Sequence, residues 1–433
     1  MYKKERLITI VCASLAILLV GMTPISSTDN EPNAQSLLGD ELIISARNSD
    51  EYRPNIAYNS IHQEYLVVWE NIWPGGEHDV YAQRVSSTGR LIETFFISDI
   101  GNDQMNPTVA YDPEHDRYLV VFSYDFWGNG SDWDIYGRFI PWDGPDPALL
   151  AFSICDWGTS QGKPVVAFSP VEDEFMVTWV NYPPGQPTYL SGRRVFSVGG
   201  FPPGDGFTIT SGAYNRDHQD IAYDLAHNEY LVTWQVDSSD SGWDIWGIRL
   251  RADGVPLEGG DPPQVGEFVI AGWPDSEEIP AVATCYPGTE ARQYLVAWQS
   301  DQVTGYNNYA IYVRYISRTG VPGGIYLAAD TTGNEVFPDL DCDSTGNKYL
   351  LMWSEEYITG AYGVWARFAY LNETFGPGFQ VISPISTYGR EYPAVEGGRT
   401  NFLTAWEHTR NDGNLDIHGR LIGYFVYLPM TIK

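Results

Sequence analysis

Four tryptophans, Trp73, Trp127, Trp157 and Trp273, stand in segments crowded with acids, amides and glycines rather than in apolar runs. A planar ring beside carboxylates and amides suits a sugar, which offers C–H faces for stacking and hydroxyls for hydrogen bonds. The plainer alternative for each ring is that it pins its own loop. A second set, Arg53, Asn106, Lys163 and His218, precedes four successive short apolar segments. Converging, these side chains would bind an anionic group; the expectation is that they satisfy strand ends instead. Acids that could share catalytic work include Asp217, Glu278, Glu335 and Glu391. General acid–base hydrolysis needs two carboxyls held at a fixed separation, and no pair here stands out. No catalytic residue is assigned.

The cysteines are Cys12, Cys155, Cys285 and Cys342. No Cys-x-x-Cys or Cys/His spacing points to zinc, so neither a metal nor a cofactor is expected. Cys285 and Cys342 end corresponding segments of adjacent repeats, displaced by one residue, and are the candidate disulfide. Cys155 ends an outer segment elsewhere.

What must position these residues is a repeat. Tyr65-Leu66-Val67-Val68-Trp69 followed by Asp79-Val80-Tyr81-Ala82-Gln83-Arg84 returns as Tyr118 to Phe122 with Asp134 to Arg138, and as Tyr230 to Trp234 with Asp244 to Arg249. The closing aromatic falls at Trp69, Phe122, Trp179, Trp234, Trp298, Trp353 and Trp406, at spacings of 53, 57, 55, 64, 55 and 53 residues. A short segment such as Pro54 to Tyr58 opens each unit, and a weaker one such as Phe96 to Ser98 ends it. Four short β-type segments in about fifty residues make a propeller blade. The second segment is apolar on both faces, as a strand must be when neighbours cover both its sides. The expected fold is therefore all-β: a seven-bladed β-propeller of four-stranded blades over residues 42–422.

The two ends complete the count. Leu42 to Ser45 resembles a fourth segment without a unit, while the seventh unit lacks its fourth. An amino-terminal outer strand in the last blade would close the ring and leave no unpaired edge; the alternative is closure by the apolar tail, residues 423–433. Residues 28–41 read as a linker. Residues 1–27, with Lys3, Lys4 and Arg6 before an apolar run, read as a signal peptide, a retained anchor being the rival.

The third segments carry small residues (Ala82, Gly137, Gly192, Gly247, Ala366, Gly419) and arginines in two registers. Arg84, Arg194 and Arg249 stand two residues after the small one; Arg138, Arg367 and Arg420 stand directly after it. A shift of one residue points a strand side chain to the opposite face. The arginines are thus expected to pair locally with blade carboxylates, not to form one cluster.

The Tyr-Leu-Val-Val-Trp and Asp-Ile-Tyr-Gly-x-Arg units resemble secreted bacterial propeller repeats of uncharacterised function. That resemblance implies an exported β-propeller and carries no catalytic residues. Sialidase-like Ser-x-Asp-x-Gly-x-x-Trp boxes are absent, and Trp133-Asp134 and Trp243-Asp244 do not sit where WD40 repeats place theirs.

A formal charge of −31 excludes a nucleic acid or an anionic bilayer as partner. Membrane contact is expected only through a retained amino-terminal segment. Three functions stay open: a secreted or cell-surface propeller that binds a glycan, glycosylated or protein partner without catalysis; an extracellular polysaccharide hydrolase or lyase with carboxylates at the channel mouth; and a structural surface component.

Overall fold

The computed structural model describes residues 38–423, apart from 99, 204–205, 238–241, 261–263, 286–292, 302–307, 347, 358–360, 383–391 and 411. The expected signal peptide, most of the linker, Glu391 and nearly all of the tail lie outside the described residues. Within them the regular structure is all strand. Seven four-stranded antiparallel sheets form the ring of a seven-bladed β-propeller. Blade 1 shows the plan: Asp50–Asn59 nearest the axis, then Glu64–Ile72, His78–Ser86 and, outermost, Leu91–Phe96. The longest spacing, between Trp234 and Trp298, is explained by an extra two-stranded sheet, Glu258–Gly259 with Gln264–Val265, inserted before the outer strand of blade 4.

The second strands form the core. Tyr65, Leu66, Val67, Val68 and Trp69 have no exposed surface, and Trp179, Trp234, Trp298 and Trp406 are equally enclosed. Each large apolar side chain so buried contributes about 1.5–3 kcal/mol. The small residues of the third strand admit the isoleucine of the outer strand. A methyl on Gly137 would lie 2.8 Å from Ile154, and one on Gly247 the same distance from Ile270.

Ile44 meets Gly419 in that same way, at 2.5 Å from where a methyl would stand. Its strand, Leu38–Ser45, pairs antiparallel with Leu415–Gly423 and completes blade 7. The ring is therefore closed by the amino-terminal strand, which begins four residues before Leu42. Ser45 Oγ donates to Glu51 Oε1 at 2.6 Å and ties the seam to blade 1.

The arginines correct the sequence expectation in part. Those of the first register do pair with carboxylates: Arg84 with Glu64, Arg194 with Glu174 and Arg249 with Glu229, each at the start of its own blade's second strand. Those of the second register reach across the gap between blades. Arg138, Arg367 and Arg420 donate to the carbonyls of Ile97, Ala328 and Val381, in or just after the preceding blade's outer strand. Arg193 and Arg314 do the same with Ile154 and Ile270. The one-residue shift turns a partner within the blade into a clamp between blades.

Cys285 and Cys342 are joined in a disulfide with Cα atoms 5.4 Å apart, linking blades 5 and 6. Cys155 is free and buried, and burial pushes its thiol up to about 12, which leaves it inert. Denatured without reductant, a chain of residues 38–423 should show one free thiol. Three would mean the bridge is absent.

Candidate functional site

The sequence set Arg53, Asn106, Lys163 and His218 belongs to a larger ring. Each innermost strand of blades 1 to 6 breaks register once, between Tyr52 and Asn55 in blade 1 and at the matching place in the others. At each break stands a non-glycine residue with φ between 48° and 54°: Arg53, Asn106, Lys163, His218, Ile279 and Phe337. Proline follows five of the six, and a bulge is one of the few places a sheet tolerates it. A side chain in this left-handed region costs on the order of 1–3 kcal/mol unless its surroundings fix it. Glu70 and Glu407 supply part of that fixing, accepting the amides of Asn106 and Arg53 at 3.1 and 2.9 Å. Gln235 and Gln299 accept those of Ile279 and Phe337, both at 2.9 Å. All four acceptors directly follow the core tryptophan of their blade. The Trp-Glu/Gln step is thus a sequence signal for the channel rim, and it was missed.

The rim is polar on one side and apolar on the other. Arg53 Nη1 donates to Asn106 Oδ1 at 2.5 Å and lies 3.7 Å from Glu70, which also holds His78 at 2.8 Å. The Glu70 hydrogen bond raises His78 above its usual value, against a smaller opposing effect of burial. Lys163 Nζ sits 2.7 Å from both oxygens of Asp217, and His218 Nδ1 is 3.3 Å from the same carboxylate. Burial alone would lift Asp217, but hydrogen bonds and charge from His218 and Lys163 outweigh it and hold this carboxyl well below the ordinary range. Glu278, beside Gln299 at 3.2 Å, moves the other way, raised chiefly by burial. Phe337 and Tyr392, with ring centroids 4.0 Å apart, form the apolar side. Glu335 is fully buried and accepts from Thr331, so it is a structural acid.

The four loop tryptophans divide into two pairs. Trp73 donates through Nε1 to Asp79 at 2.6 Å and packs edge-on against Tyr81. Trp273 lies edge-on to Tyr312, 5.1 Å between centroids, and against core Trp298. Both anchor their loops. Trp127 is 66% exposed and meets Phe126, itself exposed, edge to face; Trp157 is 41% exposed with one edge on Trp179. Acids flank both rings along the chain, Asp125 and Asp132 near Trp127 and Asp156 beside Trp157. Asp134 is pushed up to about 6 by burial first, then by Asp132, Asp156 and Asp125.

Below the rim, four carboxyls line the innermost strands. Asp220, Asp339, Asp341 and Glu396 accept the amides of Val282, Val395, Gly397 and Tyr58 in the following blade. Burial alone pushes Asp220 up to about 6; burial first, then neighbouring carboxylate charges, pushes Asp341 to about 7 and Asp339 to about 8, and raises Glu396 well above the ordinary value. Each is half-buried.

No protein-family model and no curated protein matches this sequence. Among solved structures, the chain is similar to the GH93 α-L-arabinofuranosidase of Fusarium graminearum. The two share 12% identity over 77% of this chain and 98% of that one, at a TM-score of 0.51. It is also similar to a protein of unknown function from Dyadobacter fermentans, 10% identical over 88% of this chain and 97% of that one, at a TM-score of 0.48. At such identities the likeness concerns the propeller fold and assigns no residue.

Proposed function

We propose that this is an exported propeller that binds a neutral glycan, or a partner bearing one, on the loop face around Trp127 and Trp157, without cleaving it. The observation that carries the reading is the division among the loop tryptophans. Trp73 and Trp273 are used by the fold, whereas Trp127, and Trp157 on the side not packed against Trp179 and Gly206, leave apolar faces in water in acid-rich loops that can accept hydroxyl hydrogen bonds. A stacked ring of this kind contributes to binding because it is rigid and needs little ordering. The net charge of −31 disfavours sulfated or uronic polymers. The same fold serves sugar chemistry in the Fusarium enzyme.

A hydrolytic reading has one specific support. Asp217 and Glu278 both feel the charge of His218, and their surroundings drive their pKa values apart. Such a split separates a carboxylate from an acid. Screening neutral oligosaccharides on an array, with a reducing-end assay on every ligand found, tests both readings. Retention without release of reducing ends is expected. Steady release, lost in Asp217→Asn and Glu278→Gln, would overturn the non-catalytic proposal, and no retention of any neutral glycan would overturn the ligand class.

A further inference from the structure

We propose that Glu41, His408 and His418 form a binding site for a divalent transition-metal ion of the zinc type, clasping the amino-terminal strand to the two carboxy-terminal strands at the seam of the ring. The three residues come from Leu38–Ser45, Asn401–Thr409 and Leu415–Gly423, which are adjacent in blade 7. His418 lies opposite Trp406 on one side and Ile43 on the other, so His408 and Glu41, two residues along from these, share its face of the sheet. Their candidate ligand atoms lie within 4.8 Å of one another.

The donor chemistry fits. Two imidazoles and one carboxylate with an open fourth position is a recurrent zinc ligand set. Glu41 Oε1 already meets His418 Nδ1 at 2.7 Å, and the two imidazoles stack 4.0 Å apart. Tetrahedral zinc needs donors about 3.3 Å apart, so the cluster must tighten. One imidazole turns about χ2 so that both lone pairs converge, Glu41 swings with it, and His418 moves its proton to Nε2. Exposed Glu41 and half-buried His408 have room for this. His408 Nδ1 is buried with no hydrogen-bond partner among the described residues, an atom that a metal would satisfy. Asp416, across the strand pair from His408, adds negative charge that Arg410 at 3.5 Å partly offsets, while Arg420, 4.0 Å from the far oxygen of Glu41, is occupied by the Val381 carbonyl.

The other blades act as internal comparisons. Where blade 7 has His408, they carry Asn71, Tyr124, Asn181, Val236, Ser300 and Glu355; where it has His418, they carry Tyr81, Tyr136, Ser191, Trp246, Tyr312 and Trp365. Paired histidines occur only in the blade that contains the seam. A ring contact alone would need no such change, since Tyr124 and Tyr136 supply one in blade 2. A second His–carboxylate group joins Asp112 and His115, in a turn whose Asp-x-x-His pattern recurs at Asp224 and His227, to Asp173 in the matching turn of the next blade, and its Asp–His pair is accounted for by turn capping.

Calorimetric titration of the chelator-treated full chain with Zn2+ tests the site. One ion per chain is expected, with the melting temperature rising by about 3 °C at a hundredfold excess over Kd. The double variant Glu41→Gln/His408→Gln should bind at least about tenfold more weakly and lose the rise, whereas His115→Gln should keep both. Each variant is compared with itself with and without Zn2+, so a change in its intrinsic stability does not enter. Absence of saturable binding in the unmodified chain, unchanged binding in the double variant, or loss in His115→Gln would each overturn the proposal.

Discussion

Deleting residues 28–46 lowers the melting temperature by at least about 6 °C. The segment contributes the whole outer strand of blade 7. Its loss uncovers Ile44's place over Gly419, removes the Ser45–Glu51 bond and leaves the ladder of Leu415–Gly423 unpaired. Vacating a buried isoleucine position costs about 2–5 kcal/mol, and each lost hydrogen bond adds about 1 kcal/mol. The freed edge is also a template for pairing between chains, so the truncated protein should associate at high concentration. Ile44→Asp is the milder version, expected to destabilise without removing the ladder. An unchanged melting curve in the deletion would mean that another segment, such as the apolar tail, fills the outer position.

The protein is more stable at pH 5 than at pH 8. Acid groups usually stabilise a fold in the opposite sense, because pairing depresses them. Here Asp220 is raised by burial, and Asp339, Asp341 and Glu396 by burial first and then by neighbouring carboxylates. Between the ordinary carboxyl range near pH 4 and the values of about 6 to 8, the folded chain holds more protons than the unfolded one. Stability therefore falls as pH climbs through that window. Asp217, depressed by His218 and Lys163 against its burial, acts in the opposite sense only under strongly acidic conditions, where its own carboxylate is protonated. Asp339→Asn should keep an acceptor for the Val395 amide while removing the charge. It is expected to stabilise at pH 8 by about 1–3 kcal/mol, its partial exposure screening part of the full effect, and to change little at pH 5. Melting temperatures across pH 4.5–8.5 for both proteins would show it as a flattened curve. A stability maximum at pH 8, with Asp339→Asn destabilising there, would contradict this.

The blades and the seam were legible in the sequence because burial on both faces leaves a continuous apolar run, and seven copies of it fix the count. Trp69 and its equivalents could occupy no other place. The loop tryptophans were not separable on sequence. Trp73 and Trp127 stand in similar acidic, glycine-containing loops, and only the fold shows that Asp79 takes the indole N–H of the first. The arginine registers were visible but their meaning was half concealed. Side-chain direction follows from register, whereas the carbonyl that Arg138 meets belongs to another blade. The rim was seen in four blades through its polar members and missed at Ile279 and Phe337, since a positive φ leaves no mark on an apolar residue. Glu41 and His418, 377 residues apart, could be brought together only by the closed ring.

Glycan retention by the double variant Trp127→Ala/Trp157→Ala is the most direct measurement of the proposed function. Both rings are mostly or partly in water, so the variant should melt within about 3 °C of the parent, whereas Trp73→Ala and Trp273→Ala should each destabilise by about 1–3 kcal/mol. The account predicts that the folded double variant no longer holds a neutral glycan that the parent retains. Undiminished retention by a folded double variant would contradict it.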